Sequence, residues 1–195
     1  MSGLTVERAR EIAFEEAKKI LWQRKKNKKC SMKKLLFPEK EAQSLQSACI
    51  KGGNMMESIF NCWAKESGNV EYHDHDKIKI PNQKGKKQID LAYDNKYMEM
   101  KTNIDFDTEK NPACLRKIEV VTEALSKIHG GQFIGGILVP TLWDAEGYRY
   151  FKKGQKEVVV GAKTFLDDIG LPISREEYVN LFKEIGDYIL EEQAR

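Results

Sequence analysis

The sequence predicts an α/β (α+β) fold, a mixed central β-sheet flanked by helices, with a helical N-terminal region. Three stretches carry that reading. Residues 89–101, IDLAYDNKYMEMK, alternate as a short hairpin that turns at Asp94-Asn95. Residues 112–128 keep the period of an amphipathic helix. Residues 133–139 are the most apolar run, as expected of a central strand covered on both faces. Strand, helix and strand in that order form a crossover, so the strand holding Glu99 should run parallel, or nearly so, to the strand holding Ile137.

Before the hairpin the chain reads as helical. Thr5 can cap a helix whose apolar positions are Ala9, Ile12, Ala13, Ala17, Ile20 and Leu21. Residues 31–38 read as a connection, and Pro38 can start a second helix through Ala42, Leu45 and Ala48, with Gly52 and Gly53 as its stop. Asn54 then caps a third helix with the stripe Met55, Met56, Ile59, Phe60 and Trp63, ended by Gly68. Glu57 lies beside that stripe, either as a surface residue or as a carboxylate aimed at the sheet.

Residues 70–80, VEYHDHDKIKI, alternate as one strand or two short ones, broken at Pro81. His73 and His75 would share a face there, a spacing open to a metal, but no third ligand accompanies them at a plausible spacing. After the hairpin, Pro112 starts the helix of Leu115, Ile118, Val121, Leu125 and Ile128, which Gly130 and Gly131 end. Short strands are expected at 148–151 and 157–160. Two helices close the chain, over 163–169 and 175–192, the second opened by a capping box of Ser174 and Glu177.

At 195 residues, 41% hydrophobic and 32% charged, the chain is expected to form a single domain over 1–195. Its parts are a helical region 1–68, a sheet core 69–161 and C-terminal helices 162–195. The net charge is +3, but basic residues crowd 18–34 and recur at Lys77, Lys79, Lys84, Lys86 and Lys87, while the last helix is acidic. That split points to a polyanion on one side, although the 24–34 run reads equally as a solvated helix face. Cys30, Cys49, Cys62 and Cys114 show no CxxC spacing. With no signal-peptide pattern and no apolar run able to span a bilayer, the expectation is a cytoplasmic protein with free cysteines and no membrane partner.

The hairpin concentrates the chemistry. A two-residue turn puts Tyr93 opposite Lys96, Leu91 opposite Met98 and Asp90 opposite Glu99, with Lys101 on the face of Glu99 and with Met98 and Met100 on the other. Facing carboxylates repel, and a cation reverses the sign, so the register predicts a metal site. Asp90, Glu99 and the Met100 carbonyl offer oxygen ligands suited to Mg²⁺, and Lys101 can stabilise phosphoryl oxygens or orient an attacking water. No P-loop or GxSxG elbow occurs, and the three histidines, His73, His75 and His129, form no recognisable partnership with a serine or cysteine. Metal-assisted phosphodiester hydrolysis is the leading enzyme class.

Asp90, followed by Glu99-Met100-Lys101 and then by a helix and a central strand, resembles the PD-(D/E)xK nuclease superfamily over about the middle third of the chain. Glu57 matches the place of a helix glutamate that joins the site in many members. Ile89 departs from the proline often found before the aspartate, at a position that varies in the family.

The resemblance implies a restriction-endonuclease-like nuclease domain, with Asp90, Glu99, Lys101 and Glu57 catalytic. Mg²⁺ would be the cofactor, with Mn²⁺ able to substitute. Most like a type II restriction enzyme, such a protein would act on double-stranded DNA as a homodimer beside a cognate DNA methyltransferase. Lys84, Lys86 and Lys87 are the expected phosphate contacts, and Asn103, Asp105, Asp107, Lys110 and Arg116 the candidate base readers. The alternatives are a Holliday-junction resolvase or repair nuclease of the same superfamily, and a non-catalytic basic nucleic-acid-binding protein.

Overall fold

Helix α1 (Val6–Lys26) begins where Thr5 predicts, the Arg8 N–H donating to Thr5 Oγ1 at 3.2 Å. The structure is a computed structural model, and it describes residues 3–26, 45–74, 89–102, 110–144, 151–152, 155–156 and 159–194. Ala9, Ile12, Ala13 and Ala17 are buried along α1 and face α2 (Leu45–Ser67). The Trp63 indole N–H donates to the Ala9 carbonyl at 2.9 Å, tying the two helices together.

The expected break at Gly52-Gly53 does not occur. Helix α2 runs unbroken through both glycines and Asn54, and ends at Gly68, whose φ of 67° suits a glycine past a helix end. Each glycine weakens a helix by about 1 kcal/mol relative to alanine. The stripe of Met55, Ile59, Phe60, Trp63 and Ala64 is buried, and a helix nucleated there gains a backbone hydrogen bond for every residue added toward Leu45. The expected helix start at Pro38 lies outside the described residues.

The hairpin forms in the predicted register. Strand β1 (Leu91–Tyr93) pairs antiparallel with β2 (Lys96–Met100), Leu91 opposite Met98 and Tyr93 opposite Lys96. Asp94 takes the turn with φ 48°, a conformation that aspartate tolerates better than most residues. Its main chain and side chain both bond Glu71: Asp94 N–H donates to the Glu71 carbonyl and Glu71 N–H to Asp94 Oδ1, each at 2.8 Å. Tyr72 adds an antiparallel bridge to Tyr93, so the start of the 70–80 stretch lies along the edge of the hairpin. Residues 75–80, including His75, lie outside the described residues.

Helix α3 (Lys110–His129) is the crossover, and β3 (Ile134–Val139) follows parallel to β2, Glu99 beside Ile137 and Met100 beside Leu138. Strands β4 (Phe151–Lys152) and β5 (Gln155–Lys156) make a separate ribbon, and β6 (Val159–Gly161) returns to the sheet parallel to β3. The sheet order is β1-β2-β3-β6, with β3 in its interior as its apolar run predicts. Helices α4 (Ala162–Asp168) and α5 (Arg175–Ala194) finish the chain. Ser174 and Glu177 form the expected capping box, Glu177 N–H to Ser174 Oγ at 3.2 Å and Ser174 N–H to Glu177 Oε2 at 2.8 Å.

Two cores lie on opposite faces of the sheet. Leu91, Tyr93, Met98 and Leu138 join residues of α1, α2, α4 and α5, whereas Ile89, Ala92, Tyr97, Ile137 and Val139 join Cys114, Ile118, Val121 and Leu125 of α3. Period-two alternation in the strands sends every second residue to α3. Ile128, expected in the α3 stripe, is instead 52% exposed. The first residue of β3, Ile134, is 51% exposed as well. Gly135 sets how closely α3 sits: a Cβ there would lie 2.3 Å from Ile118 Cγ2 and 2.6 Å from Thr122 Oγ1.

Candidate active site

The residues at the open end of the hairpin converge because β1 begins only at Leu91, one residue after Asp90, while β2 continues to Met100. Carrying the register back from Leu91 and Met98 places Asp90 opposite Glu99, on the face that meets α3. The unpaired Met100 N–H then donates to Asp90 Oδ2 at 2.9 Å, a side chain replacing the missing strand. From the other side, α2 holds the same residue: Asn61 Nδ2 donates to the Asp90 carbonyl at 2.6 Å. Asp90 and Glu99 are 7% and 4% exposed.

Lys101, two residues beyond Glu99, shares its face as predicted. Its Nζ lies 2.5 Å from Glu99 Oε1, 3.1 Å from the Met100 carbonyl and 3.9 Å from Asp90 Oδ2. Glu57 reaches the same place from α2. With Gly53, Asn54, Asp90, Glu99, Lys101 and Lys117 it lines a cavity of about 430 Å³.

Lys117 and Tyr97 were not expected. Lys117 Nζ sits 2.6 Å from Asp90 Oδ1 and 2.6 Å from Glu99 Oε2, a single ammonium bridging the two carboxylates. The Tyr97 hydroxyl donates to the same Glu99 Oε2 at 2.6 Å. A signal for each was present in the sequence. Tyr97, Glu99 and Lys101 have the spacing of one strand face, and Lys117 follows Cys114 by three residues and precedes Val121 by four, on the flank of a buried helical stripe.

This geometry sets the protonation of the site. Burial raises Asp90 above the ordinary aspartate range, and the charge of Glu99 adds to it, against the opposing pull of Lys117. Burial would raise Glu99 too, but Lys117 and Lys101 outweigh it and hold that carboxyl below its usual value. Burial would lower Lys117, yet Asp90 and Glu99 keep it raised and charged. Glu57 is pushed up to about 7, by burial first and then by the Asp90 charge. Burial raises Tyr97 strongly, so its hydroxyl remains a donor at neutral pH.

The repulsion expected between Asp90 and Glu99 is thus answered by Lys117, and carboxylates facing each other do not by themselves require a metal here. Among the described residues, no three His, Cys, Asp or Glu side chains converge as a ready metal cluster. The oxygen set is nonetheless suited to a hard cation. Two carboxylate oxygens already flank one positive atom, and the Met100 carbonyl accepts from Lys101 at the same edge.

The other predicted residues are distributed differently. Arg116 is exposed on α3 beside Lys117. Lys110 opens α3, and Lys84, Lys86, Lys87, Asn103, Asp105 and Asp107 lie outside the described residues. His73 is away from this site, at the turn end of the hairpin. Its Nε2 is 2.6 Å from the Asp94 carbonyl and its ring packs 4.3 Å from that of His129. No helix among the described residues is long and apolar enough to cross a membrane.

No protein-family model matches the chain, and neither do the curated proteins or the solved structures compared with it.

Proposed function

We propose that the chain is a Mg²⁺-dependent endonuclease hydrolysing phosphodiester bonds of double-stranded DNA, with Asp90, Glu99 and Lys101 as its catalytic residues. The observation that carries this reading is the meeting of Asp90 with the Glu99-Met100-Lys101 strand in one cavity, in the register of the hairpin. A cavity of about 430 Å³ lies within the range that holds a small-molecule-sized group such as a phosphodiester and its sugars.

Asp90, Glu99 and the Met100 carbonyl would hold Mg²⁺, or Mn²⁺ in its place. The cation would supply Lewis-acid polarisation of the phosphate and a more acidic water. The chain's own residues do the rest. Lys101 places a fixed positive charge at the cavity edge, where it can neutralise the developing charge of the phosphoryl oxygens. In hydrolysis the water oxygen bonds to phosphorus, the ester P–O bond breaks, and the proton lost by the water ends on the leaving oxygen. Glu57, with a pKa of about 7 and a side chain lining the cavity, suits a part in that proton movement.

Within this reading the fold is restriction-endonuclease-like, and the enzyme a type II restriction nuclease. It would act as a homodimer on a short DNA site, beside a cognate methyltransferase. Phosphate contacts would come from Lys84, Lys86 and Lys87, and base contacts from residues such as Asn103, Asp105, Lys110 and Arg116. Supercoiled plasmid and a four-way DNA junction, each incubated with the purified chain and Mg²⁺, test the proposal. Discrete cuts in the plasmid support a restriction enzyme, selective cutting of the junction supports a resolvase, and no cutting of either overturns the nuclease reading.

One observation favours a second reading. Lys101 and Lys117 already neutralise Asp90 and Glu99, as a structural ion-pair cluster in a non-catalytic nucleic-acid-binding protein would. DNA binding that is indifferent to divalent metal, without cleavage, would decide for it.

A further inference from the structure

Lys117 lines the same cavity as Asp90 and Glu99 and is paired with both. Its ammonium stands in the cavity wall between Asp90 Oδ1 and Glu99 Oε2, 2.6 Å from each. Those are the carboxylates that would hold a divalent cation. Two cations cannot share that pair of oxygens at contact distance without strong repulsion.

We propose that the Lys117 ammonium is the resident counter-cation of this site, and that a divalent metal must displace it to bind between Asp90 and Glu99. The proposal rests on the metal-dependent reading given above and extends it to the control of metal occupancy. The architecture suits an exchange of this kind. Gly135 lets α3 press against the sheet and brings the backbone of Lys117 close, while a four-carbon stem lets its head move without moving the helix. Lys101 keeps its own partner, Glu99 Oε1, so Glu99 retains one lysine when the other leaves. In the absence of metal, Lys117 relieves the repulsion of two buried carboxylates, and the site stays folded without a cofactor.

The exchange is tested by titrating Mn²⁺ into the full wild-type chain and into Lys117→Met and Lys117→Gln variants, with binding heat as the readout and thermal unfolding in EDTA beside it. The variants are expected to bind Mn²⁺ at least about tenfold more tightly, because no ammonium has to leave a buried pair. They are also expected to unfold at lower temperature in EDTA and to regain that loss with Mn²⁺. Equal or weaker Mn²⁺ binding by folded variants would overturn the exchange and leave the metal-dependent reading in place. Absence of Mn²⁺ binding in the wild type and both variants would overturn both.

The wild-type chain provides a test that needs no variant. Labelling of Lys117 by an amine-reactive reagent, read by mass spectrometry, is expected to rise when Mn²⁺ is added, as the ammonium leaves its partners. Labelling that stays constant while Mn²⁺ binds would overturn the proposal.

Discussion

Asp90 Oδ2 accepts a hydrogen bond from the Met100 N–H at 2.9 Å, so the same carboxyl that faces the cavity also closes the end of the sheet. Charge and hydrogen bonding at this position can be separated by substitution. Asp90→Asn keeps an oxygen for Met100 but loses the charge, whereas Asp90→Ala loses both. Both variants are expected to lose Mg²⁺-dependent cleavage. In urea unfolding, alanine is expected to cost about 1–3 kcal/mol more than asparagine, the penalty of an unsatisfied buried N–H. Equal stability of the two would mean that the Met100 bond contributes nothing.

Glu57 predicts a pH dependence. Its carboxyl is raised from 4.5 to about 7 in the folded protein, so the folded state binds the proton more tightly than the unfolded chain. The stabilisation is full below pH 4.5 and is lost as pH rises through 7. In metal-free buffer, Glu57→Gln is therefore expected to match the wild type most nearly at acid pH and to exceed its stability at pH about 8. The gain is on the order of 1 kcal/mol, since solvent reaching the side chain screens the effect. Thermal melts at the two pH values check this, and a constant difference between the proteins would contradict it.

Gly135→Ala probes the seating of α3. The added Cβ would meet Ile118 Cγ2 at 2.3 Å and Thr122 Oγ1 at 2.6 Å, so the helix must shift. A loss of about 1–3 kcal/mol is expected in denaturant unfolding, as for other overpacked cores. Cleavage should fall as well, because the shift moves Lys117 relative to Asp90 and Glu99. A variant as stable as wild type would show that α3 is not held this closely.

Lys86 and Lys87 are expected to contact phosphates. Replacing both with alanine should lower the slope of log binding constant against log salt by about 2, at roughly 0.9 per phosphate contact. Fluorescence anisotropy over a salt series measures it, and an unchanged slope would move the DNA away from this segment.

The parts of the fold that the sequence made legible are those set by local pattern. Alternation around Asp94-Asn95 placed the hairpin register, and with it Asp90, Glu99 and Lys101, because a strand period of two leaves only one way to face the core. The unbroken course of α2 through Gly52 and Gly53 was not legible, since burial of its stripe, and not local propensity, decides it. Lys117 was hidden for a related reason. Its spacing from Cys114 and Val121 marks the edge of the buried face, but only the docking of α3 on β2 and β3 brings it to the hairpin. A lysine missed in this way removed the electrostatic argument for a metal that the carboxylate pair alone had suggested.

The central claim, that Asp90 and Glu99-Met100-Lys101 form a phosphodiester-cleaving centre, is tested most directly by single-turnover cleavage of DNA with enzyme in excess. The comparison is wild type against Lys101→Ala and Lys101→Arg in Mg²⁺, with DNA binding measured in parallel in Ca²⁺. The account predicts cleavage by the wild type, a rate lower by roughly 10² or more for Lys101→Ala at nearly unchanged affinity, and a rate well below wild type for Lys101→Arg. A Lys101→Ala protein that cuts at near wild-type rate, or a wild-type protein that binds DNA in Mg²⁺ without cutting it, would contradict the claim.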